Sequence, residues 1–181
     1  MPDLSIRPAL MGDLQECLQF DASYMTDYVW QMESRVEDGR ISVTFRHVRL
    51  PRAMRVEYPR DADGLAADWR LRDAFLIAQR DRKTVGYVSL SVRPAQRMAD
   101  IGDLVVHRPH RRTGVGLALM DASMRWARER RLKQIVVEVQ TKNHPAICLL
   151  DKLGFTFCGF NDRHYLNQDI AVLYGRAVRL S

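Results

Sequence analysis

Eight residues, His110 to Leu117 (His-Arg-Arg-Thr-Gly-Val-Gly-Leu), constrain this chain more than any others. An apolar run, Ile101 to Val106 with Gly102 and Asp103 inside it, leads into them, and a long segment of helical periodicity leads out. A strand that empties into a basic, glycine-containing turn and then a helix gathers unpaired backbone N–H groups at the positive end of a helix dipole. Such a point binds phosphate. Gly114 and Gly116 lack a Cβ, so the backbone can take positive φ and approach a phosphate oxygen closely, while Arg111 and Arg112 add charge. Glycine near a helix start also occurs as plain turn chemistry, and the turn alone does not separate the two readings. Neither a Gly-x-x-x-x-Gly-Lys-Ser/Thr loop nor a Gly-x-Gly-x-x-Gly dinucleotide fingerprint is present.

The surrounding pattern alternates strands and helices. Leu4 to Ala9 reads as a short strand stopped at Pro8, which has no N–H for a ladder. Asp13 is placed to cap a helix carrying Leu14, Cys17 and Leu18. Ser23 to Glu33, with Tyr24, Tyr28 and Trp30, reads as an amphipathic helix whose aromatics serve the core, the alternative being a helix that faces substrate. Ile41 to Phe45 alternates like a strand, Arg46 to Arg60 is basic and gives no clear pattern, and Asp61 to Trp69 suits a short surface helix. Ala74 to Ala78, Val85 to Val92 and Asp100 to Val106 are three consecutive strands with short connections, hence antiparallel neighbours. Leu117, Met120, Met124 and Ala127 give Gly116 to Arg130 one apolar helical face. Ile135 to Val139 is the next strand, and strand, helix, strand implies a right-handed crossover to a parallel neighbour. Pro145 to Leu153 is a helix closed by Gly154, followed by strands at Phe155 to Phe160 and Ile170 to Val178.

At 181 residues and 46% hydrophobic content the chain suits one domain, 1–181, with an ordinary core. Its net charge of +6 favours a polyanionic partner such as nucleic acid, a membrane surface or a phosphate-rich cofactor, and the spread of the basic residues does not choose among them. Cys17, Cys148 and Cys158 form no Cys-x-x-Cys pair and read as small buried hydrophobes of a reducing compartment. No run approaches the ~18 apolar residues of a membrane span, and the first residues lack a signal-peptide pattern, so a cytoplasmic protein without a membrane partner is expected. The histidines show no metal-ligand spacing, and no metal site is expected.

Taken together, Arg111-x-x-Gly114-x-Gly116 after a strand, then a helix, a strand, Asn143-x-x-Ala146 and Gly154-Phe155, resemble the GNAT superfamily of acetyl-CoA-dependent N-acetyltransferases. Residues 74 to 160 carry most of the likeness, and Ile6-Arg7-Pro8 with Asp13 suit its start. Trp126-Ala127, Glu138-Val139-Gln140-Thr141-x-Asn143 and Gly154-Phe155-Thr156-x-x-Gly159 resemble streptothricin acetyltransferases within it, which implies an antibiotic-resistance type of activity. The resemblance implies an α/β (α+β) GNAT fold: a mixed central sheet splayed to form an acetyl-CoA cleft, with flanking helices. It implies that backbone groups of Leu104, Val105 and Val106 pair with the pantetheine arm. The turn of Arg111, Arg112, Thr113, Gly114, Val115, Gly116 and Leu117 would hold the pyrophosphate, with Asn143 and Ala146 on the cofactor's other side.

Amine acetylation by direct attack needs a base for the amine proton and a donor for the departing thiolate. Glu138, five residues before Asn143, is the first candidate base, with Asp103 and Asp100 as rivals; each also reads as a strand carboxylate paired with an arginine. Many relatives keep a tyrosine acid four residues before Gly-Phe, where this chain has Leu150, so Tyr165 or water is left to serve. The acceptor is a primary amine, on a small cationic molecule such as a streptothricin-like antibiotic or on a protein. A polycation fits a basic chain only if an acidic patch exists, for which Glu33, Asp38 and Asp73 are candidates. A non-catalytic CoA-binding or ribosome-associated module is the alternative, nucleic acid being the less favoured partner because Arg46 to Arg60 lacks regular aromatic interleaving. Enzymes of this type are commonly dimers, and the sequence leaves the oligomeric state open.

Overall fold

The structure, a computed structural model, describes residues 4–179. Seven strands form one mixed sheet. In chain order they are β1 (Leu4–Pro8), β4 (Ala74–Arg80), β5 (Lys83–Arg93), β6 (Met98–Val106), β7 (Gln134–Gln140), β8 (Thr156–Asn161) and β9 (Ala171–Ala177). Their order across the sheet is β1-β4-β5-β6-β7-β9-β8. A separate ribbon joins β2 (Tyr24–Glu37) and β3 (Arg40–Val56). The helices are α1 (Asp13–Cys17), α2 (Ala62–Asp68), α3 (Val115–Glu129) and α4 (His144–Lys152). β4, β5 and β6 are antiparallel neighbours, and β6 and β7, joined through α3, run parallel. The mixed sheet with flanking helices matches the expected fold class.

The two sheet faces carry separate apolar layers. On one, Leu119 and Met120 of α3 and Ile147 and Leu150 of α4 pack on Leu90, Ile101 and Ile135. Each fully buried side chain of this size contributes about 1.5–3 kcal/mol. On the other, Cys17 of α1 and Leu65 of α2 pack with Trp69, Phe75, Ile77, Tyr87 and Val105. Burial pushes the Cys17 thiol up to about 12. Cys148 and Cys158 depart from expectation: both are exposed, Cys148 on the outer side of α4. Among the described residues no helix is long and apolar enough to cross a membrane.

Two other local expectations are corrected. Ser23 to Glu33 is not a helix. Tyr24, Thr26, Tyr28, Trp30 and Met32 fall at every second position, a strand period, and β2 turns into β3 at Asp38-Gly39, where both residues have positive φ (47° and 74°). That pair is the hairpin signal that decides the segment. Asp13 does not cap α1; its carboxylate accepts from the Leu10 N–H and from both terminal nitrogens of Arg7 at 2.7 Å, tying the helix start to β1. Asp61 does cap α2, accepting from the Gly64 N–H. The basic segment Arg46 to Arg60 is mostly β3, with Arg46 paired to Glu33, and Arg55 to Asp21 and Glu57.

Candidate active site

The site begins at Gly102. Ser89 of β5 pairs with Asp103 and Leu90 with Ile101, so Gly102 is an extra residue, a β-bulge in β6. A bulge bends its strand and increases the local twist. Pairing between β6 and β7 stops at the same point, the last pair being Ile101 with Val137. Beyond it β7 continues to pair with β9, and β6 with β5, but not with each other. A V-shaped cleft results. The bulge also swaps faces: Ile101 belongs to the α3/α4 layer, whereas Val105 belongs to the α1/α2 layer. The guanidinium of Arg72 lies over Gly102, where an added Cβ would sit 2.8 Å from Nη2. Asp68 and Ser91 hold that guanidinium in place.

At the top of the cleft lies the turn into α3. Among the described residues, the backbone N–H groups of Arg112 through Leu117 donate to nothing in the protein; the first amide of α3 to find a carbonyl is Ala118, on Gly114. Arg112 (φ 63°) and Gly114 (φ 88°) both take left-handed backbone, so consecutive N–H groups point into one concavity. Gly116 differs from expectation: its φ is not positive, and its missing Cβ instead makes room for Leu149 of α4, 3.3 Å from where a Cβ would be.

Arg111 is also corrected. Its three guanidinium nitrogens donate to the carbonyls of Val106, Ser23 and Asp21, and its own N–H is used on Arg108. These bonds clamp the start of the hairpin to the end of β6, so its guanidinium is committed to the protein's own carbonyls; desolvation there lowers its pKa. The cations at the turn are Arg112, exposed and without a partner among the described residues, and Arg80, which donates to Thr113 Oγ1 at 3.1 Å.

Where β6 and β7 part, a cavity of about 290 Å³ opens. Leu104, Glu138, Ala146, Leu150 and Tyr165 line it, together with Asp103 and three residues the sequence did not single out, Tyr58, Arg60 and Asp61. Asp103 is 1% exposed and saturated. Its Oδ1 accepts from Tyr58 Oη (3.0 Å) and Arg60 Nε (2.8 Å), and its Oδ2 from Ser89 Oγ (2.7 Å). Committed to three donors of the protein itself, Asp103 is better described as the anchor of the cavity wall. Asp100, the other rival, is held by Arg93 Nε at 2.6 Å outside the cavity. Glu138 remains: it lines the cavity, and among the described residues its carboxylate meets only His164, with Oε1 2.9 Å from Nε2.

The Tyr165 phenol has no hydrogen-bond partner among the described residues, and desolvation, with Glu138 nearby, raises its pKa. Leu150 is fully buried beneath the cavity, so the expected tyrosine position is apolar. Asn143 stands outside the cavity, capping α4 through the Ala146 N–H at 3.1 Å. The Val106 carbonyl accepts from Arg111, the Val105 side chain is buried in the α1/α2 layer, and Leu104 lines the cavity.

No local motif marks Tyr58, Arg60 or Asp61 in the sequence; the charge run around Arg60 reads as a solvated face, and folding brings it onto β6. The acidic patch is likewise not where it was sought. Glu33 and Asp38 lie toward the tip of the ribbon and Asp73 holds the Val92 N–H. The cavity instead carries Asp61, Asp103 and Glu138 against one arginine, in a chain of net charge +6.

The sequence profile of the acetyltransferase (GNAT) family matches residues 44–155. Over 167 residues the chain is 29% identical to a streptothricin acetyltransferase of Streptomyces lavendulae, covering 88% of this chain and 85% of that one. An N-alpha-acetyltransferase of Sulfurisphaera tokodaii is 33% identical over 93 residues, 45% of this chain and 56% of its own. Among solved structures, a nourseothricin acetyltransferase superposes with a TM-score of 0.84 at 25% identity, covering 97% of this chain and 99% of that one. A protein of Bacillus anthracis, assigned as a streptothricin acetyltransferase and solved with acetyl coenzyme A, gives 0.74 at 22% identity, with 97% and 99% covered. The chain belongs to the GNAT family of acetyl-CoA-dependent N-acetyltransferases, and the binding-only alternative gives way to an enzyme.

Proposed function

We propose that the acceptor is the primary amine of a small cationic molecule of the streptothricin kind, acetylated by direct attack on the thioester in a ternary complex. The observation that carries this reading is the inverted local charge: three carboxylates against one guanidinium line the cavity of a basic protein, a wall that attracts ammonium groups. The relatives named for streptothricin and nourseothricin acetylation support it.

The unpaired amides of Arg112 to Leu117, with Arg112 and Arg80 beside them, fit the pyrophosphate of acetyl-CoA. The edge of β6 beyond Gly102 fits an extended amide-bearing arm as a strand would. Glu138 takes the proton that makes the acceptor nitrogen nucleophilic. Tyr165, kept protonated by its raised pKa, is the hydroxyl placed to donate to the departing sulfur.

The test is release of CoA thiol with a panel of amines. Streptothricin and other polyamine-bearing small molecules are expected to turn over with kcat/KM at least about a hundred-fold above peptides with free N-termini, a discrimination of about 2.7 kcal/mol. A preference for peptides would move the acceptor to protein amines. The phosphate turn is tested separately by Gly114→Val. Nothing lies within 4 Å of a Cβ there, so any effect is backbone strain at φ 88°, about 1–2 kcal/mol for a side chain in left-handed backbone. Acetyl-CoA affinity, measured calorimetrically, is expected to fall about tenfold. Unchanged affinity would place the cofactor elsewhere.

A further inference from the structure

Acetylating an alkylammonium leaves one proton to dispose of. R–NH3⁺ and the thioester give the amide, the free thiol and one H⁺: the C–N bond forms as the C–S bond breaks, one nitrogen proton ends on sulfur and the other must reach solvent. A base covered by bound substrates has to be emptied after every turnover. Building on Glu138 as that base, we propose that His164 is the exit: starting as the Nδ1–H tautomer it accepts the proton from Glu138 at Nε2, releases the one on Nδ1 to water, and regains its starting tautomer by proton exchange with water before the next turnover.

Three observations carry the inference. The only group touching the Glu138 carboxylate among the described residues is His164 Nε2, 2.9 Å from Oε1. The other imidazole nitrogen, Nδ1, has no protein partner among the described residues, and the His164 side chain is 32% exposed against 24% for the half-buried Glu138, so the ring extends from the carboxylate toward water. The ring is also positioned: His164 sits in the connection between β8 and β9, edge-on to Tyr165 with centroids 4.8 Å apart. The titratable groups facing the ring are Glu138 from β7, Tyr165 beside it, Arg60 ahead of α2, and Asp100 of β6 with Cys158 of β8 across the adjoining cleft. Among the described residues only Glu138 comes within ion-pair distance of it. Imidazole suits this task because its ordinary pKa is close to neutral, so it both gains and loses a proton readily. His164 touches neither substrate in this scheme; it acts through Glu138.

The test compares His164→Gln and His164→Ala in steady-state kinetics with acetyl-CoA and whichever amine turns over fastest. Glutamine keeps a polar amide beside Glu138 but cannot relay a proton. Both variants are expected to lose about tenfold in kcat, about 1.4 kcal/mol, with KM for both substrates within about twofold, and imidazole added to the His164→Ala enzyme should restore kcat. Acetyl-CoA affinity serves as the check of fold, and if the alanine variant loses it the glutamine variant decides. Wild-type kcat in His164→Gln, or a loss that imidazole does not repair, overturns the relay. If Glu138→Gln is slow while His164→Gln is fast, the relay alone fails; if Glu138→Gln retains full rate, the assignment of the base fails and the relay with it.

Discussion

Glu138→Gln is expected to lower kcat by about a hundred-fold while leaving acetyl-CoA affinity unchanged. A positioned general base contributes roughly 10²–10⁴ in rate, and about a hundred-fold corresponds to about 2.7 kcal/mol of barrier. The amide fills the same volume beside His164, so the cleft geometry persists and only proton acceptance is removed. Single-turnover rates with acetyl-CoA bound in advance separate the chemical step from binding. An unchanged rate would return the role to a carboxylate that the structure shows already engaged, Asp103 or Asp100.

Asp103→Asn, by contrast, is expected to act on stability. The carboxylate is fully enclosed and holds Arg60, Tyr58 and Ser89 at once. Removing one member of a buried pair costs about 3–5 kcal/mol because the other charge is left uncompensated. Arg60 is 23% exposed and keeps Asp68 as a second partner, which puts the expected loss at the low end, about 3 kcal/mol. For a chain of this size that lowers Tm by about 6–12 °C, readable by a thermal melt. At a temperature where the variant is folded, kcat should fall far less than in Glu138→Gln. An unshifted Tm with a collapsed kcat would identify Asp103 as the base after all.

The contrast between these two carboxylates shows where sequence reasoning reaches and where it stops. Local periodicity is enough to place β4 to β6, α3, β7 and α4, because each is defined by its own apolar spacing and by punctuation such as Gly154 (φ 74°). The turn at Arg112 to Leu117 was legible for the same reason: a nest of amides is built from adjacent residues. Glu138 was legible only through its distance from Asn143 along one strand and the loop after it. What was hidden depends on distant residues meeting. Nothing near Asp103 in the sequence announces Arg60, 43 positions earlier, as its partner. Arg111 looked like a phosphate ligand until three carbonyls, two of them about 90 residues away, were seen to occupy it. The β2–β3 ribbon was misread for a different reason: aromatic and methionine residues fit both a helical and a two-residue period over a short window, and the Asp38-Gly39 hairpin turn outweighs them.

The bulge at Gly102 has a mechanical corollary. Only four register pairs, Met98 with Gln134 through Ile101 with Val137, stitch the β1-β4-β5-β6 leaf to the β7-β9-β8 leaf. The two leaves therefore resemble covers joined along a short spine. The gap between them grows away from that spine, widest at the far end, where α3 and α4 begin, and narrowest beside Glu138.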